Sequence, residues 1–197
     1  MAAAARLRAG GVVAFPTDTV TGLGCLANSA DAVRAIFALK GRDQGRPLTL
    51  FVADAAAAEV VTGPLVPRVR ALLRLAWPGS LTAVLPLAGA GPGGPWPEGV
   101  GREGTVGVRV PAHPVPRRLV ELVGGPLATT SANISGEAPW PDAAEAVARW
   151  GEAVLAVPGP SGSVPSTVVD LTVWPPRVLR DGAVGADTLA AWIDAAG

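Results

Sequence analysis

Residues 29–52 read Ser29-Ala-Asp-Ala-Val-Arg-Ala-Ile-Phe-Ala-Leu-Lys40-Gly-Arg-Asp-Gln-Gly-Arg-Pro-Leu48-Thr-Leu-Phe-Val52. The first part predicts an amphipathic helix over 29–40. Ser29 offers an N-cap, and Ala32, Val33, Ile36, Phe37 and Leu39 form its apolar face. Leu48–Val52 is a short apolar run and reads as a buried strand. Between them lie three cations, Lys40, Arg42 and Arg46, and two glycines. Helix, polar turn and buried strand recur irregularly along the rest of the chain, which predicts one α/β domain over 1–197 with a mixed sheet.

Working outward, residues 2–9 predict a short helix and Gly11–Phe15 a strand cut by Pro16. Asp54 caps a short Ala-rich helix, and Pro67–Trp77 forms another. Strands are expected at Ser80–Leu87, Thr105–Val110, Pro126–Thr130, Ala153–Val157, Thr167–Leu171 and Arg177–Arg180. Helices are expected at Val115–Val123, Pro141–Trp150 and Ala186–Ala195. Ala88–Gly104 is a long Gly/Pro-rich loop: a lid, a binding loop or a mobile excursion.

Composition narrows the function classes. The 197 residues carry 16 basic and 16 acidic groups, so a globally cationic nucleic-acid binder is disfavoured. One Cys (Cys25) and one His (His113) exclude a disulfide framework and a Cys/His metal cluster. A lone Cys fits a reducing compartment, and the N-terminal segment lacks the apolar core of a signal peptide, so a cytoplasmic location is expected. The longest uncharged stretch, Leu75–Pro97, is broken by five Pro and five Gly and will not span a membrane as a helix. Lys40 is the only Lys among the 16 basic residues. A Lys surviving in an Arg-rich composition suggests a position that wants a compact ammonium in place of a planar fork.

Four polar segments interrupt the apolar pattern where strands or helices end. Phe15-Pro-Thr-Asp-Thr-Val-Thr-Gly-Leu-Gly24 crowds hydroxyls and a carboxylate beside two glycines. It reads either as a small-ligand loop or as a strand-to-strand turn with Asx and Thr capping. Lys40-Gly-Arg-Asp-Gln-Gly-Arg46 reads as a polyphosphate clamp or as helix C-terminal electrostatics. In Val106-Gly-Val-Arg-Val110, Arg109 sits within an apolar strand and must meet an acid such as Asp18 or Asp170, or an anionic ligand. His113, after Pro111, reads as a cap. Ala128-Thr-Thr-Ser-Ala-Asn-Ile-Ser-Gly136 offers hydroxyls and an amide either to phosphate and ribose oxygens or to a turn. No Walker A loop, GxSxG elbow or complete GxGxxG fingerprint is present.

Phe15-Pro-Thr-Asp-Thr-Val-x-Gly-Leu-Gly24, Lys40-Gly-Arg with Pro47-Leu48, Trp77-Pro-Gly-Ser-Leu-Thr82, Gly107-Val-Arg-Val-Pro-x-His-Pro114, Thr130-Ser-Ala-Asn-Ile-Ser-Gly136, Pro165-Ser-Thr-Val-Val-Asp170 and Val178-Leu-Arg-x-Gly-Ala183 stand in this order. In these motifs the chain resembles the YrdC-like family, the L-threonylcarbamoyladenylate synthases, in their short single-domain form.

The resemblance implies a YrdC-like fold, an open, twisted α/β sheet around a concave, positively lined cavity. It also implies the joining of L-threonine, bicarbonate and ATP into threonylcarbamoyl-AMP and pyrophosphate. A downstream transferase complex would then carry the group to tRNA as threonylcarbamoyladenosine. By motif position, Lys40, Arg42 and Arg109 would be the catalytic cations. Threonine would meet Thr17, Arg109, Ser131 and Ser166. ATP, carrying its own Mg²⁺, would meet Lys40, Arg42, Gln44, Thr105, Thr129, Ser131, Asn133 and Arg180, with no protein metal site. The chain departs from the family pattern at Thr21, where Tyr is usual, and at Asp43, where Pro is usual. The alternative readings are a double-stranded RNA or tRNA-binding module, and another carbamoyl-adenylate reaction of the kind used in hydrogenase maturation.

Overall fold

The computed structural model describes residues 2–43, 45–91 and 94–197. Among them nine strands form one mixed sheet: β1 (Val12–Phe15), β2 (Gly22–Leu26), β3 (Thr49–Phe51), β4 (Leu81–Pro86), β5 (Thr105–Arg109), β6 (Leu127–Ser131), β7 (Val154–Ala156), β8 (Thr167–Asp170) and β9 (Arg177–Arg180). Their spatial order is β7-β1-β2-β6-β3-β5-β4-β8-β9. The pairs β1–β7, β3–β5 and β4–β8 are parallel and the others antiparallel. The helices are α1 (Ala2–Arg8), α2 (Ala30–Lys40), α3 (Ala55–Thr62), α4 (Pro67–Ala76), α5 (Pro114–Val123), α6 (Ala144–Trp150) and α7 (Ala186–Ala196).

The pleat decides what each face does, because successive side chains point to opposite sides. On one face Ala14, Leu23, Leu50, Ala83, Val108 and Ala128 pack with residues of α2, α3, α4, α6 and α7 in the main core. On the other, Val13, Phe15, Phe51 and Leu127 pack under α1 and α5 in a smaller core. That second cluster covers only part of its face. The rest of the face carries Thr49, Thr82, Arg109, Thr129 and Ser131, which line a cavity.

Local chemistry places the ends of the elements. The Ser29 hydroxyl accepts from the Ala32 amide, and Gly41 closes α2 in the left-handed region at φ +58°, which favours glycine. His113 caps α5, its Nδ1 accepting from the Val115 amide at 3.2 Å. The sixth helix is shorter than Pro141–Trp150. Asp142 Oδ1 accepts from the Ala144 amide at 2.8 Å, and the helix starts there.

Strand β2 is not among the strands that the sequence predicts. Gly22 and Gly24 lower its strand propensity, yet the structure needs them. Phe15 pairs with Gly22 across the hairpin. A Cβ on Gly22 or Gly24 would stand 2.8 or 2.9 Å from the Phe15 ring.

The described part of Ala88–Gly104 does not line the cavity. It is tied to neighbouring backbone through Ala88 N to Val61 O, Gly99 O to Leu48 N, and Arg102 to Thr105 in both directions. Of the three readings offered for this loop, a binding loop at this cavity is the one its position does not support.

Gly24→Ala tests the hairpin packing. The Phe15 side chain is fully buried and has little room to retreat. Overpacking is expected to cost about 1–3 kcal/mol in urea denaturation with an unchanged slope. An unaltered midpoint would mean that the ring moves freely.

Candidate functional site

The cavity encloses about 260 Å³ and is lined from six strands, β2 to β6 and β9, and from the turns beside them. Its central feature is Arg109 on β5. An arginine that is 3% exposed has to be neutralised and hydrogen-bonded, and the sequence around it does both. Nη2 pairs with Asp18 Oδ2 at 2.7 Å, Nη1 donates to Thr19 Oγ1 at 2.8 Å and Nε donates to Gly79 O at 2.8 Å. Asp18 also accepts from Ser80 Oγ at 3.0 Å and from the Ala112 amide at 3.2 Å. Burial alone would raise the Asp18 carboxyl. The Arg109 charge and the hydrogen bonds from Ser80 and Arg109 outweigh burial and hold it below the ordinary carboxylate value.

The β1–β2 segment is the strand-to-strand turn its sequence allowed, and it borders the cavity as well. It is a strand-to-strand turn in which Thr17 Oγ1 donates to Val20 O at 2.7 Å and accepts from the Thr19 amide. It also lines the cavity through Thr17 and Thr19. A strap after β7 lies across it: Gly162 N donates to Thr17 O, and Thr21 Oγ1 donates to Ser161 Oγ at 2.9 Å. A Cβ on Gly162 would be 2.5 Å from Thr19 O, so only glycine lets the strap lie this close.

Two more guanidiniums face the cavity, and among the described residues no carboxylate is bonded to either. Arg42 donates to Arg46 O at 2.8 Å and to Pro47 O at 3.3 Å. Arg180 donates to Ser166 O at 2.8 Å and to Ser166 Oγ at 2.9 Å. Burial, then the charges of Arg46 and Arg180, push the Arg42 pKa down, with Asp43 opposing weakly. Burial does the same to Arg180. Like charges held together in this way create a positive potential that an anion would relieve.

Lys40 departs from its expected place. It is 1% exposed and does not line the cavity. Its Nζ donates to Ser131 O, to Asn133 O at 2.8 Å and to Asn133 Oδ1 at 2.7 Å. A buried ammonium has three protons to satisfy, and these three oxygens take them. Burial, and then the Arg42 charge, bring its pKa down to about 7. Lys40 thus ties the end of α2 beneath the 131–137 turn. Ser131 Oγ donates to Asn133 Oδ1 at 2.6 Å, and Asn133 Nδ2 donates to Ile134 O and Glu137 O, so that turn is held from both sides.

Of the other residues singled out from sequence, Thr17, Thr129, Ser131, Asn133 and Ser166 line the cavity together with the three arginines. Thr105 does not. It starts β5 opposite Pro86, and its hydroxyl donates to Arg102 O at 2.9 Å. The reason is distance along the strand: Thr105 and Arg109 share a face, four residues apart at opposite ends of β5. Gln44 lies outside the described residues. Thr19, one of the hydroxyls of the Phe15–Gly24 segment, lines the cavity too, whereas sequence reasoning assigned no role to Thr49 and Thr82. Their signal was the alternation of Thr, Gly and Arg with apolar residues in β3–β6.

No group of three or more metal-ligating side chains occurs among the described residues, and no helix there is long and apolar enough to cross a membrane.

The architecture is a mixed α/β sheet with part of one face left open, floored by hydroxyls and lined by three arginines. The family model for Sua5/YciO/YrdC, described as telomere recombination, matches residues 5–182, and the chain belongs to that family. A threonylcarbamoyl-AMP synthase of Pyrococcus abyssi is 41% identical over 186 residues, covering 92% of this chain and 53% of its own. The chain thus spans about half of that relative. Another, from Halorhodospira halophila, is 40% identical over 185 residues, covering 93% of this chain and 90% of its own. A crystal structure of P. abyssi Sua5 complexed with L-threonine superposes with a TM-score of 0.89 at 37% identity, covering 98% of this chain and 56% of the other.

The Asp18–Arg109 pair makes a pH prediction. A carboxyl with a lowered folded pKa stabilises the fold above its unfolded value, and loses that contribution as pH falls through the folded value. Asp18→Asn should cost about 2 kcal/mol at neutral pH, less than a fully buried pair because Asp18 keeps some contact with water. Its stability should then fall less than the wild type's on acidification below about pH 4, followed by chemical denaturation at each pH. Parallel acid profiles would exclude the pair as the cause.

Proposed function

We propose that this chain is a threonylcarbamoyl-AMP synthase. In this reading L-threonine, bicarbonate and ATP become threonylcarbamoyl-AMP, pyrophosphate and water. The observation that carries the reading is the ring of Arg42, Arg109 and Arg180 around a hydroxyl-lined floor. Threonine's amine and bicarbonate form a carbamate and release water. A carbamate oxygen then attacks the α-phosphorus of ATP, and the bond to pyrophosphate breaks. Both reactants are anions, so the site has to screen repulsion and stabilise charge in the transition state, and no protein nucleophile is needed.

Each group has a task in this reaction. Arg109, already oriented by Asp18 and Thr19, keeps N–H groups for a carboxylate. Thr17 and Ser166 would hold the amino acid. Arg42 and Arg180 would hold phosphate oxygens, and Ser131, Thr129 and Asn133 the nucleotide. Lys40 acts as a positioning residue beneath them. The cavity's donor set is guanidinium, hydroxyl and amide, with Glu137 its one lining acid among the described residues. It does not fit a protein-held Mg²⁺, which would instead travel on the phosphates of ATP with water. The 40%-identical synthases support the activity, and the L-threonine complex of the P. abyssi relative supports the amino-acid substrate. Transfer to tRNA by a separate complex in the cytoplasm completes the proposal.

The test is pyrophosphate release from ATP and bicarbonate, with L-threonine, with L-serine and with neither. Release that depends on threonine is the expected result; ATP binding with no release under any condition would overturn the reading. Arg42→Ala should raise the KM for ATP about tenfold or more, since a charge-assisted contact is lost. Thr105→Ala should keep turnover within about twofold, as a surface change away from the cavity.

A further inference from the structure

Thr82 on β4 is 3% exposed and lines the cavity. Continuing the β4–β5 register, in which Ala83 faces Val108, brings it opposite Arg109 on the same face. The side chain is fixed from both sides. A Cβ built on Gly107 would lie 3.3 Å from its methyl, so the methyl fills the space that glycine leaves. Its hydroxyl meets Ser166 Oγ at 2.8 Å. Ser166 Oγ also accepts from Arg180 Nη2 at 2.9 Å.

The protons can be counted. The two hydroxyls own two protons and share one hydrogen bond, so one O–H is left to donate. Arg180 fixes which one. A cation donating to Ser166 Oγ withdraws electrons from it, makes its own proton the better donor and its lone pair the poorer acceptor. Hydrogen bonds in a chain reinforce one another when they run head to tail. The favoured order is Arg180 N–H to Ser166 Oγ, Ser166 O–H to Thr82 Oγ1, and Thr82 O–H into the cavity. Among the described residues no other acceptor for Thr82 is present. Arg109, its cross-strand neighbour, has two N–H groups beyond those bound to Gly79, Thr19 and Asp18.

We propose that Thr82 is a substrate-binding residue whose hydroxyl donates to one oxygen of the amino-acid carboxylate while Arg109 donates to the other. The inference rests on the synthase reading and deepens it. A guanidinium alone would accept any anion. A neutral donor at a fixed place beside it selects the planar, two-oxygen group of an amino acid.

The experiment compares wild type, Thr82→Val and Thr82→Ser in pyrophosphate release, with L-threoninol, which lacks the carboxylate, as a competing ligand. Val matches Thr in shape, and Ser keeps the hydroxyl without the methyl. Circular dichroism checks that each is folded. Thr82→Val should raise the KM for L-threonine about tenfold or more and leave the KM for ATP unchanged. Thr82→Ser should stay within about threefold of wild type. The inhibition constant of L-threoninol should be the same for wild type and Thr82→Val. A wild-type KM for threonine in Thr82→Val, or an equal loss for threonine and threoninol, overturns the assignment of Thr82 alone. A wild-type protein with no threonine-dependent release overturns the synthase reading, and this inference with it.

Discussion

A guanidinium in the middle of a sheet needs an anion and oriented acceptors, and meeting that need organises much of this molecule. Arg109 binds the β1–β2 turn through Asp18 and Thr19 and the start of β4 through Gly79. Through Asp18 the same interaction reaches Ser80 and the amide of Ala112, just ahead of α5. Three segments far apart in sequence, residues 18–19, 79–80 and 109–112, are therefore fixed by one charge pair. Because the pair is satisfied by protein, Arg109 can stay in a dry place and still offer its remaining protons to the cavity. Arg42 and Arg180 differ. Their bonds go to carbonyl and hydroxyl oxygens, so their charge is left for a ligand.

Much of the architecture is legible in the sequence, because most elements carry local signals. Ser29, Asp54 and Gly41 mark helix ends, and short apolar runs mark β1, β3, β5 and β8. The hairpin partner β2 is not legible in that way. Its two glycines speak against a strand, and their reason, the Phe15 ring lying over them, exists only after the strands pair. The cavity is partly legible. Motif position brings out Thr17, Arg42, Ser131, Asn133, Ser166 and Arg180, all of which line it. Thr49 and Thr82 escape because a threonine in a strand is ordinary; only the pleat shows that these share the open part of a face. Thr105 fails for the converse reason. It shares that face but stands at the wrong end of its strand.

Lys40 separates chemistry from address. Its survival in an arginine-rich chain points to a place that needs a compact ammonium, and the structure has such a place. Three oxygens from Ser131 and Asn133 surround Nζ. A planar fork would not satisfy them all from one point. The acceptors belong to the protein and not to a ligand. The lysine therefore shapes the cavity from behind, by holding the turn that carries Ser131 and Asn133.

The sheet order has a consequence for how the molecule comes into being. Its central strands come from the first two thirds of the chain, while β8 and β9 are added last, on the free edge of β4. Ser166 and Arg180 arrive with them. A nascent polypeptide emerging from the ribosome can thus close the Arg109–Asp18 pair and most of the main core before either of these groups is made. The positive ring is completed only when the last two strands dock. Such long-range pairing is slow compared with helix formation. A chain made only as far as residue 165 therefore carries Arg42 and Arg109 without Ser166 and Arg180, and the ring is incomplete until those residues dock.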